Sequence, residues 1–143
     1  NPEPIDVSAF QELIQEDFGG EVIIFVEPYM VEPFVLGDLI KEFIPSLPFG
    51  VFFFDDIITY AVLKQNTKLK DAIRIHLLDV SNPEVIHTVR EFIENNMNSS
   101  LSAKKLYMHR NTLNYRIDNF IEATHINVKT FKGANAIYML YKF

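Results

Sequence analysis

The chain has 143 residues, enough for one domain or two small ones, and its 48% hydrophobic and 22% charged residues are those of an ordinary globular protein rather than a disordered segment. With no cysteine it has neither a disulfide framework nor a thiolate site, and its longest apolar runs, Val22–Val26 and Val51–Phe54, are far too short to cross a bilayer. The formal net charge of −6 argues against nucleic acid as a partner until its distribution along the chain is considered.

No basic and apolar leader opens the chain. It begins at Asn1 without a methionine, so it is expected to be a fragment or a processed form, and the lack of cysteine fits a cytoplasmic origin.

Ser8 with Gln11 reads as a capping-box-like start for an amphipathic helix through Phe10, Leu13, Ile14 and Phe18, ended by Gly19–Gly20. Glu21–Glu27 is a continuous apolar strand bracketed by acids. Pro33 can open a helix over Phe34–Ile44, which Pro45 and Pro48 close, and Phe49–Phe54 reads as a second buried strand. Strand, helix, strand predicts a right-handed parallel crossover. Asp55 or Asp56 is expected to cap a helix to about Leu63, and Thr67 another to about Leu78. A two-stranded sheet can hardly stand alone, so further strands are expected from a preceding portion of the chain or from a partner. The aromatic stretches FVEPYMVEPF and FGVFFF could line an effector pocket, but core and subunit contact are the better explanations.

Charge divides the sequence. Residues 1–82 hold 5 Lys and Arg against 14 Asp and Glu, a balance of −9, whereas residues 83–143 hold 8 against 5, a balance of +3. The change falls at Ser81-Asn82-Pro83, where an N-cap followed by proline also starts a helix. A domain boundary is expected there, with an acidic α/β region over 1–81 and an all-α domain over 82–143. An acidic first half repels phosphate, so DNA is expected to approach only the C-terminal face.

Beyond the boundary, Val85, Val89, Phe92, Ile93 and Met97 make the apolar stripe of a helix ending near Asn95-Asn96, with His87 and Arg90 outside it. Leu101 to Phe120, LSAKKLYMHRNTLNYRIDNF, reads as two short helices joined by a tight turn. The first runs from Ser102, its expected N-cap, to Tyr107, burying Ala103 and Leu106. In the second, Leu113, Ile117, Phe120 and Ile121 form one apolar stripe. Its outer side or flanks carry Asn111, Thr112, Asn114, Tyr115, Arg116 and Asn119, with Arg110 in the first turn, all side chains that bond phosphates and base edges. The last helix is expected to begin near the N-cap Asn127 and to turn Phe131, Ala134, Tyr138 and Tyr141 toward the core.

The run HRNTLNYRI closely resembles the HRNTLRYRL signature of the C-terminal helix-turn-helix of PucR/CdaR-type bacterial transcription regulators, a relative of the Fis-type fold. The likeness extends over roughly Asn82–Phe143. VREFIENNMNSSLSAKKLYM is similar to the family's entry helix, Asn-rich turn and first motif helix, and INVKTFKGANAIYMLYKF to its closing helix. This implies a recognition helix over about 110–121 that enters the major groove, a homodimer, and DNA contacts from Arg110, Thr112, Tyr115 and Arg116, with His109 as a helix cap. Two positions depart from the pattern: Asn114 stands where the family usually has arginine, and Tyr107 where relatives often have glycine. In the family a degenerate GGDEF-like domain often precedes the reader, and VFFFDDIITYAVLKQ is similar to the strand and helix that link the two. Residues 1–81 then read as a shortened regulatory or dimerisation part.

The fold class expected is α+β, mostly α: a small α/β part with about two strands, then a Fis-like helix-turn-helix. The expected function is sequence-specific DNA binding as a transcriptional regulator, partnered by double-stranded DNA, a second copy of the chain and an unidentified small-molecule effector, with no membrane and no cofactor. The alternative is a protein-interaction module that keeps the helix-turn-helix fold but has lost DNA binding. Enzyme chemistry has little support, since GxSxG, HExxH, CxxC and a phosphate-cradling glycine loop are all missing. Asp55-Asp56 reads as helix capping rather than metal ligation, and His76, His87, His109 and His125 are too dispersed for a metal set.

Overall fold

A computed structural model describes residues 6–19, 21–28 and 34–143. It is 69% helical, with a two-stranded parallel sheet among the described residues, so the mostly α, α+β class expected from sequence holds. The helices are α1 (Val7–Phe18), α2 (Gly37–Phe43), α3 (Phe54–Leu63), α4 (Thr67–Val80), α5 (Pro83–Glu94), α6 (Ser99–Lys105), α7 (Arg110–Thr124) and α8 (Phe131–Lys142). Strands β1 (Ile23–Phe25) and β2 (Gly50–Phe52) pair in parallel with Ile24 opposite Val51. Both strands are shorter than the apolar runs that announce them, and of their residues only Phe52 is buried.

Helix starts differ from the sequence reading in a consistent way. Asp6, not Ser8, caps α1, its carboxylate accepting from the Ala9 amide at 3.1 Å. Phe53 is the N-cap residue of α3, and Asp56 acts from the third helical position by accepting from the Phe53 amide at 3.0 Å. Asn66 rather than Thr67 caps α4, accepting from Leu69. At α1 and α4 a second capping residue lies within two positions, and the cap is the one whose oxygen reaches an amide of the first turn; at α3 the N-cap is a phenylalanine, and Asp56 bonds back to its amide instead. Asn82 followed by Pro83 starts α5 as expected, with the Asn82 side chain accepting from Val85 at 2.9 Å. Gly19 ends α1 in the left-handed conformation. Gly20 and Pro33, also assigned to helix ends from sequence, lie outside the described residues. Leu13, placed on the apolar stripe of α1, is exposed, while Ile14 is buried.

The last helix is the largest departure. Asn127 does not start it. Residues Ile126 and Val128 are buried in the preceding turn, and Thr130 is the N-cap. Moving the start changes which face is inside: Gly133, Ala134, Ala136, Ile137 and Leu140 are buried, whereas Phe131 is 76% exposed and Tyr138 sits at the rim. Gly133 is required by a close approach, because a Cβ there would lie 2.0 Å from the Asn127 carbonyl oxygen.

One continuous apolar core runs from Phe34 in the N-terminal half to Leu140 in α8. Helix α3 contributes Ile57, Ile58 and Ala61, all fully buried, and packs chiefly on α8. Polar ties from α3 and α4 also reach α8 and the residue that follows it. Arg74 Nε donates to the Leu140 carbonyl at 3.1 Å, Lys70 Nζ to the Phe143 carbonyl at 2.9 Å, and Lys132 pairs with Asp56 at 3.4 Å. Helix α8 is thereby held by α3 and α4, and it also packs on α5, which packs in turn on α7.

Candidate nucleic-acid interface

Helices α5, α6 and α7 form a three-helix unit in which α6, a four-residue turn and α7 make the helix-turn-helix. Asn98 caps α6, accepting from Leu101 at 2.9 Å. The expectation that Ser102 is this cap is corrected: α6 begins three residues earlier, and Ser102 is fully buried inside it, its hydroxyl donating to the Asn98 carbonyl at 2.7 Å. The Asn98 carbonyl satisfies the buried hydroxyl, which lets a polar residue occupy a core position.

Helix α6 ends in a Schellman turn. The Met108 amide donates to the Ala103 carbonyl at 3.0 Å and the Tyr107 amide to the Lys104 carbonyl at 3.2 Å, with Tyr107 left-handed at φ 53°. Buried Ala103 and half-buried Met108 supply the apolar contact that usually accompanies this turn. His109 is the N-cap of α7, and its Nδ1 accepts from the Asn111 amide at 3.3 Å, which requires that nitrogen to be unprotonated.

Leu113, Ile117 and Phe120 are buried along one side of α7, with Ile121 half-buried beside them. The opposite side carries Asn111, Tyr115 and Asn119 at successive four-residue steps, with Thr112 adjoining, and all four are exposed, Tyr115 by 68%. Arg110 is exposed at the first helical position. Asn114 is half-buried at the edge of this face.

Arg116 is placed differently from the other expected contacts. Its side chain is only 30% exposed and points back to α5, with Nη1 donating to Thr88 Oγ1 at 3.2 Å and Nη2 3.8 Å from a Glu84 carboxylate oxygen. Thr88 is itself fully buried and donates to the Glu84 carbonyl at 2.9 Å. The arginine therefore joins the recognition helix to its supporting helix.

Two residues that sequence pattern left out belong to the same surface. Lys104 and Lys105, in the last turn of α6, are exposed and form no ion pair among the described residues, and Arg110 is likewise unpaired. Lys129 pairs with Asp118 at 2.6 Å, Lys132 pairs with Asp56, and Arg90 stacks 4.7 Å over the Tyr141 ring. Of the four cations of this half without such a partner among the described residues, Lys142 lies in the last turn of α8, and Lys104, Lys105 and Arg110 gather around the α6–α7 turn. Their signal in the sequence is the adjacent Lys pair just before the turn, which a search for polar residues on the second helix passes over. At the far end of the α7 face stand Asp118 and the exposed Glu122.

Comparison with known proteins supplies the family. Residues 85–142 match the family model of the PucR C-terminal helix-turn-helix domain. A stretch of 64 residues, 45% of the chain, is 52% identical to the uncharacterized protein YxkF of Bacillus subtilis (strain 168), and 59 residues, 41% of the chain, are 34% identical to the proline-responsive transcriptional activator PutR of the same organism. These stretches span only 22% and 14% of the two relatives' own lengths. No solved structure gives a significant match. The buried stripe of α7, the turn at Tyr107 and the matched sequence agree, and residues 85–142 belong to the PucR C-terminal helix-turn-helix domain family.

Proposed function

We propose that the chain is the DNA-binding part of a transcriptional regulator, with α7 entering the major groove and its first turns facing the bases. The observation that carries this reading is the exposed stripe Asn111, Thr112, Tyr115 and Asn119, set opposite the buried Leu113, Ile117 and Phe120 and flanked by the unpaired Lys104, Lys105 and Arg110. Amide, hydroxyl and phenol groups on such a helix read base edges, while the cations neutralise phosphates. Arg110 and the free amides at the start of α7 put positive potential at the end that leads into the groove, and Asp118 and Glu122 keep the far end away from it. Arg116 acts by holding α7 on α5.

The reading includes a homodimer, because two recognition helices about 34 Å apart meet successive major-groove faces. It also assigns the acidic residues 1–81 to dimerisation or signal input as a shortened GGDEF-like part, with the division from 82–143 at the charge change. Transcriptional control of this kind is carried out in the cytoplasm, and no helix among the described residues is long and apolar enough to cross a membrane. The relative named a transcriptional activator supports regulation as the role of the matched domain.

The test is fluorescence anisotropy of the full chain against a labelled random-sequence duplex pool at two salt concentrations. Binding that weakens steeply with salt and with Arg110→Ala is the expected result. A folded protein that shows no binding at low salt favours the alternative, a protein-interaction module, to which the acids on the outer face of α7 would be better suited.

A further inference from the structure

Tyr107 holds the least favourable place in the interface for its residue type. Its backbone is left-handed at φ 53°, in the position after a helix end where glycine is the preferred residue because it has no Cβ to crowd the following carbonyl. The residue is 97% exposed, the highest value among the exposed large apolar and aromatic residues described, so burial does not offset the backbone cost. The apolar seal of the turn comes from Met108 and Ala103, and the turn needs nothing from the phenol. At the corresponding first left-handed positions after α3 and α5 stand the polar Gln65 and Asn96; Met97, left-handed directly after Asn96, is 39% exposed, far less than Tyr107. A strained backbone carrying a fully exposed aromatic is the kind of outlier that points to a role outside folding.

Its surroundings identify the ligand. Lys104 and Lys105 precede it by one helical turn, Arg110 follows at the start of α7, and all three are exposed and unpaired among the described residues. A hydroxyl donor standing among free cations beside a helix N-terminus suits a phosphate oxygen. We propose that Tyr107 is a DNA-backbone contact whose phenol hydroxyl donates to a phosphate beside the α6–α7 turn. This rests on the DNA-binding reading above and adds to it an uncharged anchor that fixes the register of α7 in the groove.

The full chain and its Tyr107→Gly, Tyr107→Phe and Arg110→Ala variants are titrated into the labelled random-sequence duplex pool over a salt series, and each is melted in parallel. Tyr107→Gly is expected to melt at a higher temperature than the parent yet to bind DNA about tenfold more weakly, as loss of a hydrogen bond to a charged group predicts. The slope of log affinity against log salt stays at the parent value in both Tyr107 variants, because no cation is lost, whereas Arg110→Ala lowers it by about one. Tyr107→Phe loses most of the same affinity while keeping the parent melting temperature. Parent-like affinity in either Tyr107 variant overturns the contact and leaves the DNA reading in place. A parent chain without salt-dependent binding overturns the DNA reading, and the contact with it.

Discussion

Arg116 reaches across from α7 to donate to Thr88 Oγ1 of α5 at 3.2 Å, so the helix that faces outward is pinned by one of its own cations to the helix behind it. Arg116→Ala leaves the buried Thr88 with one partner fewer and removes a charge tie to Glu84. The expected loss is about 1 kcal/mol of stability, with a smaller effect on the salt slope of DNA binding than Arg110→Ala. Urea denaturation and a salt series on both variants check this, and an Arg116→Ala slope that falls as far as that of Arg110→Ala would show a direct phosphate contact instead.

Leu113 and Ile117 are fully buried in the middle of α7. Truncating either to alanine removes the packing of the recognition helix on α5 and α6 and is expected to cost about 2–5 kcal/mol. Equilibrium denaturation measures it. A loss below about 1 kcal/mol at both positions is incompatible with this helix face.

The readability of α7 and the misreading of α8 have different physical causes. In α7 the apolar residues at 113, 117 and 120 have polar residues on every other side, so periodicity alone identifies the inner face. In α8 aromatic and aliphatic residues surround the helix, and Phe131, Tyr138 and Tyr141 compete with Ile137 and Leu140 for the role of core. The decision rests on Gly133, whose contact with the Asn127 carbonyl is a tertiary relation without a periodic trace. The caps at Asp6, Asn66 and Asn98 are ambiguous in the sequence because each has another capping residue close by. The candidate contacts on α7 were legible as residue types, but the inward turn of Arg116 depends on Thr88, 28 residues away.

Gly133→Ala sets two effects against each other. Alanine raises helix propensity by about 1 kcal/mol, but its Cβ would have to occupy a point 2.0 Å from the Asn127 carbonyl oxygen, a backbone atom that cannot swing aside. Strain wins, and a drop of about 1–3 kcal/mol is expected from forcing the turn and helix apart. A thermal melt at or above that of the parent chain would show that the 127–130 turn relaxes.

His76 is buried with its ring edge-on to Phe34 and Phe54, at centroid distances of 5.6 and 6.2 Å. Burial pushes its pKa below the ordinary histidine value, and the Asp79 carboxylate pulls weakly the other way. The unfolded chain therefore binds this proton more readily than the folded one. Stability is complete above pH about 6.5 and falls as pH drops below it, until the folded-state pKa is reached. Asp55, raised by burial and then by Asp56, acts in the opposite sense: its contribution is present at low pH and is lost as pH rises above the ordinary carboxylate value through the raised folded-state one. Urea midpoints between pH about 7.5 and about 5 are expected to decline in the parent chain and to decline less in His76→Phe. Equal slopes in the two would exclude His76 as the source.

The attachment of α8 to α3 and α4 also has a consequence for the order in which the molecule can be completed. The ties from Lys70 to Phe143 and from Arg74 to Leu140 close loops of 73 and 66 residues. As the chain leaves the ribosome, the face of α3 that packs on α8 waits while four further helices are made. Loop closure of this length is an entropic step that cannot begin until α8 exists. The helix-turn-helix between them has mainly short-range contacts and needs no such wait, so the reading head can take shape on the nascent chain before the base that steadies it.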